Sequence, residues 1–158
     1  MKTNLLFVCL GNICRSPSGE AIMKNIITKN NMQSKFFIDS AGTAAYHTGE
    51  KADSRMRKHG KNRGIELTSI ARKFDPNSDF DKFDLILAMD KNNYHDLYDL
   101  AKTENEKNKI KLMCDYCIKY SHFEEVPDPY YGGYEGFELV LDILDDACTS
   151  LYKELISK

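Results

Sequence analysis

Five residues separate Cys9 from Arg15 in Val8-Cys9-Leu10-Gly11-Asn12-Ile13-Cys14-Arg15-Ser16-Pro17. The cysteine closes an apolar run that reads as a strand. Ser16-Pro17 reads as a helix start, with serine as N-cap and proline in the first helical position. A loop between strand and helix can turn the successive N–H groups of Leu10, Gly11, Asn12, Ile13, Cys14, Arg15 and Ser16 inward as an anion nest. The helix N-terminus adds unpaired donors and its dipole. Gly11 is expected to supply a positive φ or a close backbone approach. The planar fork of Arg15 can hold two phosphate oxygens, which a lysine cannot do. The same positive field favours the thiolate of Cys9. A thiolate beneath a bound phosphoryl group can attack phosphorus in line. Ser16 can hydrogen-bond that sulfur and stabilise it as leaving group in a second step. The bland alternative is a core thiol and a surface arginine, and a bare C-x5-R pattern excludes neither. Strand, cysteine, glycine, arginine and Ser-Pro in this order favour the chemistry, because context is what confirms a motif.

The elements that must carry this loop alternate along the chain. Asn4 to Cys9, Lys35 to Ser40, Phe83 to Met89 and Ile110 to Cys114 are short apolar runs of strand length. Between them lie helical patterns from Ser16 to about Asn30, from Asp53 to Arg63, and after Asp90, where Tyr94, Leu97, Tyr98 and Ala101 share a face. Residues 115–134 are mostly loop. Phe137, Val140, Leu141, Leu144, Cys148, Leu151 and Leu155 then repeat with the 3.6 period of a long amphipathic helix. Strands interleaved with helices predict an α/β fold: one doubly wound domain over residues 1–158, a four-stranded parallel sheet with helices on both faces. In such folds ligands bind beyond the carboxyl ends of the strands. That selects the loops after Cys9, Ser40 and Met89, and the stretch from Asp115.

Composition narrows the class. With 158 residues the chain suits one domain, and 42% hydrophobic against 29% charged residues argues against disorder. The run Leu5 to Leu10 is far short of the ~20 residues that span a bilayer, and no signal-peptide cleavage site follows it. A net charge of −2 gives no case for nucleic acid or an anionic membrane as partner. An odd cysteine count of five argues against a secreted disulfide scaffold, so a reduced, cytoplasmic protein is expected.

The Val8–Pro17 stretch resembles the signature of the low-molecular-weight protein tyrosine phosphatases. Ser40-Ala41-Gly42-Thr43 and Asp128-Pro129-Tyr130-Tyr131 resemble later landmarks of that family, in order. The resemblance runs from about Asn4 to the final helix. It implies hydrolysis of protein phosphotyrosine and small aryl phosphates through a phosphocysteine on Cys9, with Arg15 binding the phosphoryl group. It implies neither metal nor organic cofactor. A tyrosine leaving group, with a pKa near ~10, needs a proton as the P–O bond breaks. The resemblance assigns that role to Asp128, which alone would read as a turn aspartate before proline. Glu124 and Glu125 read as solvated, and Asp90 as an N-cap more than a site residue. By the same resemblance Ile13, Tyr46, Tyr130 and Tyr131 wall the substrate pocket, Asn12 and Ser40 brace the loop, and the tyrosine pair is open to phosphorylation. Two departures stand out. Arg63 occupies a position before Gly64-Ile65 where members often carry histidine, which puts part of the loop bracing in question, and Tyr46 stands where many carry tryptophan.

Cys14 is close enough in sequence to trap an oxidised Cys9 as a disulfide, or it is a small packed residue. Cys114-Asp115-Tyr116-Cys117 lacks the partners of a zinc site and the context of a thioredoxin motif, so core packing is expected there and at Cys148. The basic run Arg55, Arg57, Lys58, His59, Lys61 and Arg63 reads as a solvated helix face. An arsenate reductase of this fold also uses a C-x5-R loop, but the thioredoxin-coupled kind needs a further cysteine pair beyond the third strand, and Phe83 to Leu100 holds none. A protein-arginine phosphatase of this fold tends to have threonine where Ile13 stands. A phosphate-binding module without activity would be expected to lack Cys9, Arg15 or Asp128.

Overall fold

Residues 2–158 are described in the computed structural model, Tyr131 by its backbone only. Their elements are β1 (Thr3–Cys9), α1 (Arg15–Lys29), β2 (Phe36–Gly42), α2 (Ser54–Asn62), α3 (Asp79–Lys82), β3 (Leu85–Ala88), α4 (Lys91–Leu100), α5 (Glu104–Asn108), β4 (Ile110–Leu112) and α6 (Gly133–Ile156). Short 3-10 turns cover Gln33–Lys35, Met113–Tyr116 and Pro129–Tyr131. The strands form one sheet in the order β2-β1-β3-β4, and every pairing is parallel. This is the expected α/β class with four parallel strands.

Alternation along β1 explains the two layers. Leu5, Phe7 and Cys9 face a core shared with Ile22 and Met23 of α1 and Val140, Leu144 and Cys148 of α6. Leu6 and Val8 face the opposite core, with Phe74, Phe80, Phe83 and Leu97. Both faces of β1 are dry, which is why its sequence reads as an unbroken apolar run without period. Burying each such side chain favours folding by roughly 1.5–3 kcal/mol. A Cβ on Gly19 would lie 2.7 Å from Phe7 Cδ1, so α1 sits tightly on the central strand.

Some boundaries differ from expectation. Helix α1 begins at Arg15, with Cys14 in the N-cap position and no side-chain cap bond, so Ser16 is not the cap. Its hydroxyl is engaged elsewhere, as described below. The short helices α3 and α5 were not expected, because neither spans enough residues to display a period. Asp53 does cap α2, accepting from the N–H groups of Arg55 and Met56.

Candidate active site

The loop from Cys9 to Arg15 leaves the central strand and enters α1, beside the carboxyl end of β2. Its backbone turns through Asn12, whose φ of 58° lies in the left-handed region. The sequence left Gly11 either that conformation or a close approach. Gly11 has no positive φ, and a Cβ there would meet His47 Cδ2 at 3.0 Å. Asparagine tolerates the left-handed region better than most residues because its short amide bonds locally. A second glycine is required by space: a Cβ on Gly42 would lie 2.7 Å from the Leu10 carbonyl oxygen. The ends of β1 and β2 are further tied by Thr43 N–H to the Cys9 carbonyl (2.9 Å) and Ala44 N–H to the Leu10 carbonyl (3.0 Å). Among the described residues, no backbone N–H from Leu10 to Ser16 donates to a carbonyl in the loop, turn and cap bonding.

Buried polar side chains hold this shape. The Asn12 amide donates one proton to Ser16 Oγ (2.8 Å) and one to Ser40 Oγ (3.0 Å). Its oxygen accepts from the Arg72 N–H (3.0 Å). Ser40 donates to Glu20 Oε1 (2.5 Å), and Lys24 pairs with the other oxygen of that carboxylate. The amide orientation of Asn12 is thereby determined by its partners. Because Ser16 Oγ already accepts from Asn12, its own proton is available to Cys9 Sγ at 3.0 Å or, less favourably, to the Ala41 carbonyl at 3.4 Å. Glu20 and Arg72 were not singled out from the sequence. Glu20 looks like an ordinary first-turn acid there, and Arg72 reaches the loop through its main chain, which no residue type announces.

Arg15 is buried, and its Nη1 donates to Asp90 Oδ2 (2.7 Å) and the Val126 carbonyl (3.1 Å). Burial opposes its charge, yet Cys9, Asp90 and Asp128 outweigh that and raise its pKa above the ordinary value. Asp90 therefore does two things. One oxygen caps α4 by accepting from the Asn93 N–H (2.7 Å), and the other orients Arg15. Cys14 is buried, and burial, helped by Asp53, Cys9 and Asp128, pushes its thiol up to about 12.

A cavity of about 110 Å³ opens at the loop, lined by Cys9, Leu10, Gly11, Ile13, Cys14, Arg15, Tyr46, His47, Asp128 and Tyr130. It is small, with room for a phosphoryl group more than for a whole substrate. Tyr46 and Tyr130 are 74% and 58% exposed and stand at its rim. Asp128 reaches the same cavity from the 3-10 turn it caps, accepting from the Tyr130 N–H (2.9 Å). The Tyr131 side chain, expected in the wall, lies outside the described residues. His47 was not expected; it comes from the same loop as Tyr46.

Other expectations are corrected. Arg63, the departure that put part of the loop bracing in question, bonds Glu138 and Asp142 of α6 (2.7 and 2.9 Å). The basic run is only partly a solvated face. His59 also bonds Glu138, and Arg55 pairs with Asp53 and lies 5.2 Å from the Tyr130 ring centroid. Glu125 is not simply solvated either, since it accepts from the Lys91 N–H (3.0 Å). Among the described residues no group of three or more His, Cys, Asp or Glu is placed to hold a metal, and no helix is long and apolar enough to cross a membrane.

Residues 4–158 match the family model for low molecular weight phosphotyrosine protein phosphatase. A protein tyrosine phosphatase structure from Entamoeba histolytica with Hepes in its active site is 52% identical, covers 99% of this chain and 98% of its own, and superposes with a TM-score of 0.94. A low molecular weight phosphotyrosine protein phosphatase of Schizosaccharomyces pombe is 42% identical over 84% of both chains. A Drosophila arginine phosphatase structure is 33% identical, covers 98% of both chains and has a TM-score of 0.88.

Proposed function

The chain belongs to the low molecular weight phosphotyrosine protein phosphatase family, and on that premise we propose that it hydrolyses protein phosphotyrosine and small aryl phosphates through a phosphocysteine on Cys9. The observation that carries the mechanism is the contact of Cys9 Sγ with Ser16 Oγ, 3.0 Å apart, in a cavity also lined by Arg15 and Asp128. The phosphoryl oxygens sit against the unpaired N–H groups of Leu10 to Ser16 and the guanidinium of Arg15. Cys9 sulfur attacks phosphorus while Asp128 protonates the departing phenolic oxygen. Asp128, now a carboxylate, then takes a proton from water as that water attacks phosphorus. Ser16 stabilises the departing thiolate with the proton that Asn12 leaves free. Preorganised donors of this kind are worth most in a site shielded from water.

Substrate class follows from the walls. Ile13, Tyr46 and Tyr130 line the cavity, the two tyrosines at its exposed rim, an apolar and aromatic lining that suits an aryl group. The whole chain acts as one catalytic domain in a reducing, cytoplasmic setting, where its five cysteines remain free thiols. Cys14, protonated at neutral pH, serves as resolving partner for an oxidised Cys9. The test is turnover of phosphotyrosine, phosphoserine, phosphoarginine and arsenate side by side. Preference for phosphotyrosine is expected. Preference for phosphoarginine or thiol-dependent reduction of arsenate would overturn the substrate assignment.

A further inference from the structure

Two more thiols stand side by side away from the Cys9 cavity. Cys114 lies in the 3-10 turn Met113–Tyr116 and Cys117 follows it directly. The Cys117 N–H donates to the Cys114 carbonyl at 3.1 Å and closes the turn. Residues three apart in a 3-10 turn eclipse one another. Such a turn brings its end Cα atoms within ~7 Å, overlapping the ~4.4–6.8 Å that disulfides bridge. Both thiols line one surface cavity of about 340 Å³ with Lys91, Asp115, Ser121, Phe123 and Glu124. Core packing, expected from the sequence, describes Cys114 at 6% exposure; it does not describe Cys117, which is half-buried at the cavity.

We propose that Cys114 and Cys117 form a second dithiol site, independent of Cys9 and Cys14, that hydroperoxides oxidise to an intramolecular disulfide. The two thiols divide the work. Cys117 is half-buried and faces the cavity, within reach of a small hydroperoxide, whereas Cys114 is buried behind it at 6% exposure. Cys117 is thus the attacking thiol, reacting as its thiolate after giving up its proton to solvent. Its sulfur bonds the terminal oxygen of the hydroperoxide, the O–O bond breaks, and the departing alkoxide or hydroxide takes up from solvent the proton that Cys117 gave up, leaving as alcohol or water. Cys117 is then a sulfenic acid. Cys114 sulfur attacks that sulfur, the S–O bond breaks, and the hydroxyl departs as water with the Cys114 proton. Two thiols are oxidised by two electrons, and one hydroperoxide is reduced.

Lys111 and Lys119 flank both cysteines, so tryptic digestion isolates them in the single peptide Leu112–Lys119. Native protein is treated with hydrogen peroxide, alkylated under denaturing conditions and digested. The peptide is expected without alkyl groups and lighter by two hydrogens, reverting with dithiothreitol. The same is expected in Cys9→Ser, where the active-site thiol is absent. In Cys114→Ser a 1,3-diketone should trap sulfenic acid on Cys117, and in Cys117→Ser the remaining thiol should oxidise at least about tenfold more slowly. Recovery of both cysteines alkylated at peroxide doses that oxidise Cys9 would overturn the proposal. So would pairing of either cysteine with Cys9, Cys14 or Cys148, or equal trapping on Cys114 and Cys117.

Discussion

Replacing Asn12 by alanine removes three hydrogen bonds and leaves a β-carbon at a φ of 58° with no local amide to compensate. Each lost bond costs about 1 kcal/mol, given that the serine hydroxyls can turn to other acceptors. The left-handed backbone adds about 1 kcal/mol. The sum is about 4 kcal/mol, or a fall in Tm of roughly 8–16 °C for a chain of this size. Asn12→Gly loses the same bonds but accepts the backbone, so it should lose only about 3 kcal/mol. Urea or thermal unfolding of both variants measures the two contributions separately. Turnover should fall in both, since Ser16 loses the donor that frees its proton for Cys9. Equal stability of the alanine and glycine variants would refute the backbone argument. A loss below about 1 kcal/mol in the alanine variant would refute the claim that Asn12 organises the loop.

Asp128→Ala should slow turnover by roughly 10²–10⁴ and most for esters with poor leaving groups; a uniform loss across leaving groups would assign the acid elsewhere. Asp90→Asn keeps an oxygen to cap α4 but removes the charge beside Arg15, so kcat/KM should fall about 10–100-fold while the melting temperature changes little. A stability titration tests Cys14. Its thiol is raised in the folded state from 9.0 to about 12, so folded and unfolded chains are both protonated below pH 9. Above that the unfolded chain loses its proton first, and stability falls as pH rises towards 12. Cys14→Ser should flatten that alkaline limb, and an unchanged slope would contradict the burial of an un-ionised thiol.

The parallel sheet was legible because β1 and β3 are buried on both faces and read as apolar runs of strand length, and because α6 repeats its apolar face over 24 residues. Asp53 and Asp90 were legible as caps because capping depends on residue type next to a periodic segment. Three kinds of feature were not legible. Ser16 resembles a cap by type and position, but Asn12 and Cys9 lie within its reach and the helix starts two residues earlier than that cap implies. Asn12 takes the left-handed turn to which a glycine is better suited by type, since the adjacent His47 and the buried partners of Asn12 decide the geometry. Glu20, Arg72 and the Arg63–α6 pairs depend on which segments meet in space, and spacing along the chain carries no trace of that. His47 reaches the cavity for the same reason.

The phosphocysteine on Cys9 is the central claim, and rapid-quench trapping tests it most directly. The enzyme is mixed with an aryl phosphate, stopped within the first turnovers, digested and sequenced by mass spectrometry. The peptide holding Cys9 should be heavier by one phosphoryl group, and Cys9→Ser should bind vanadate yet show neither adduct nor turnover. A phosphoryl group on any other residue, or hydrolysis retained by Cys9→Ser, would contradict the account.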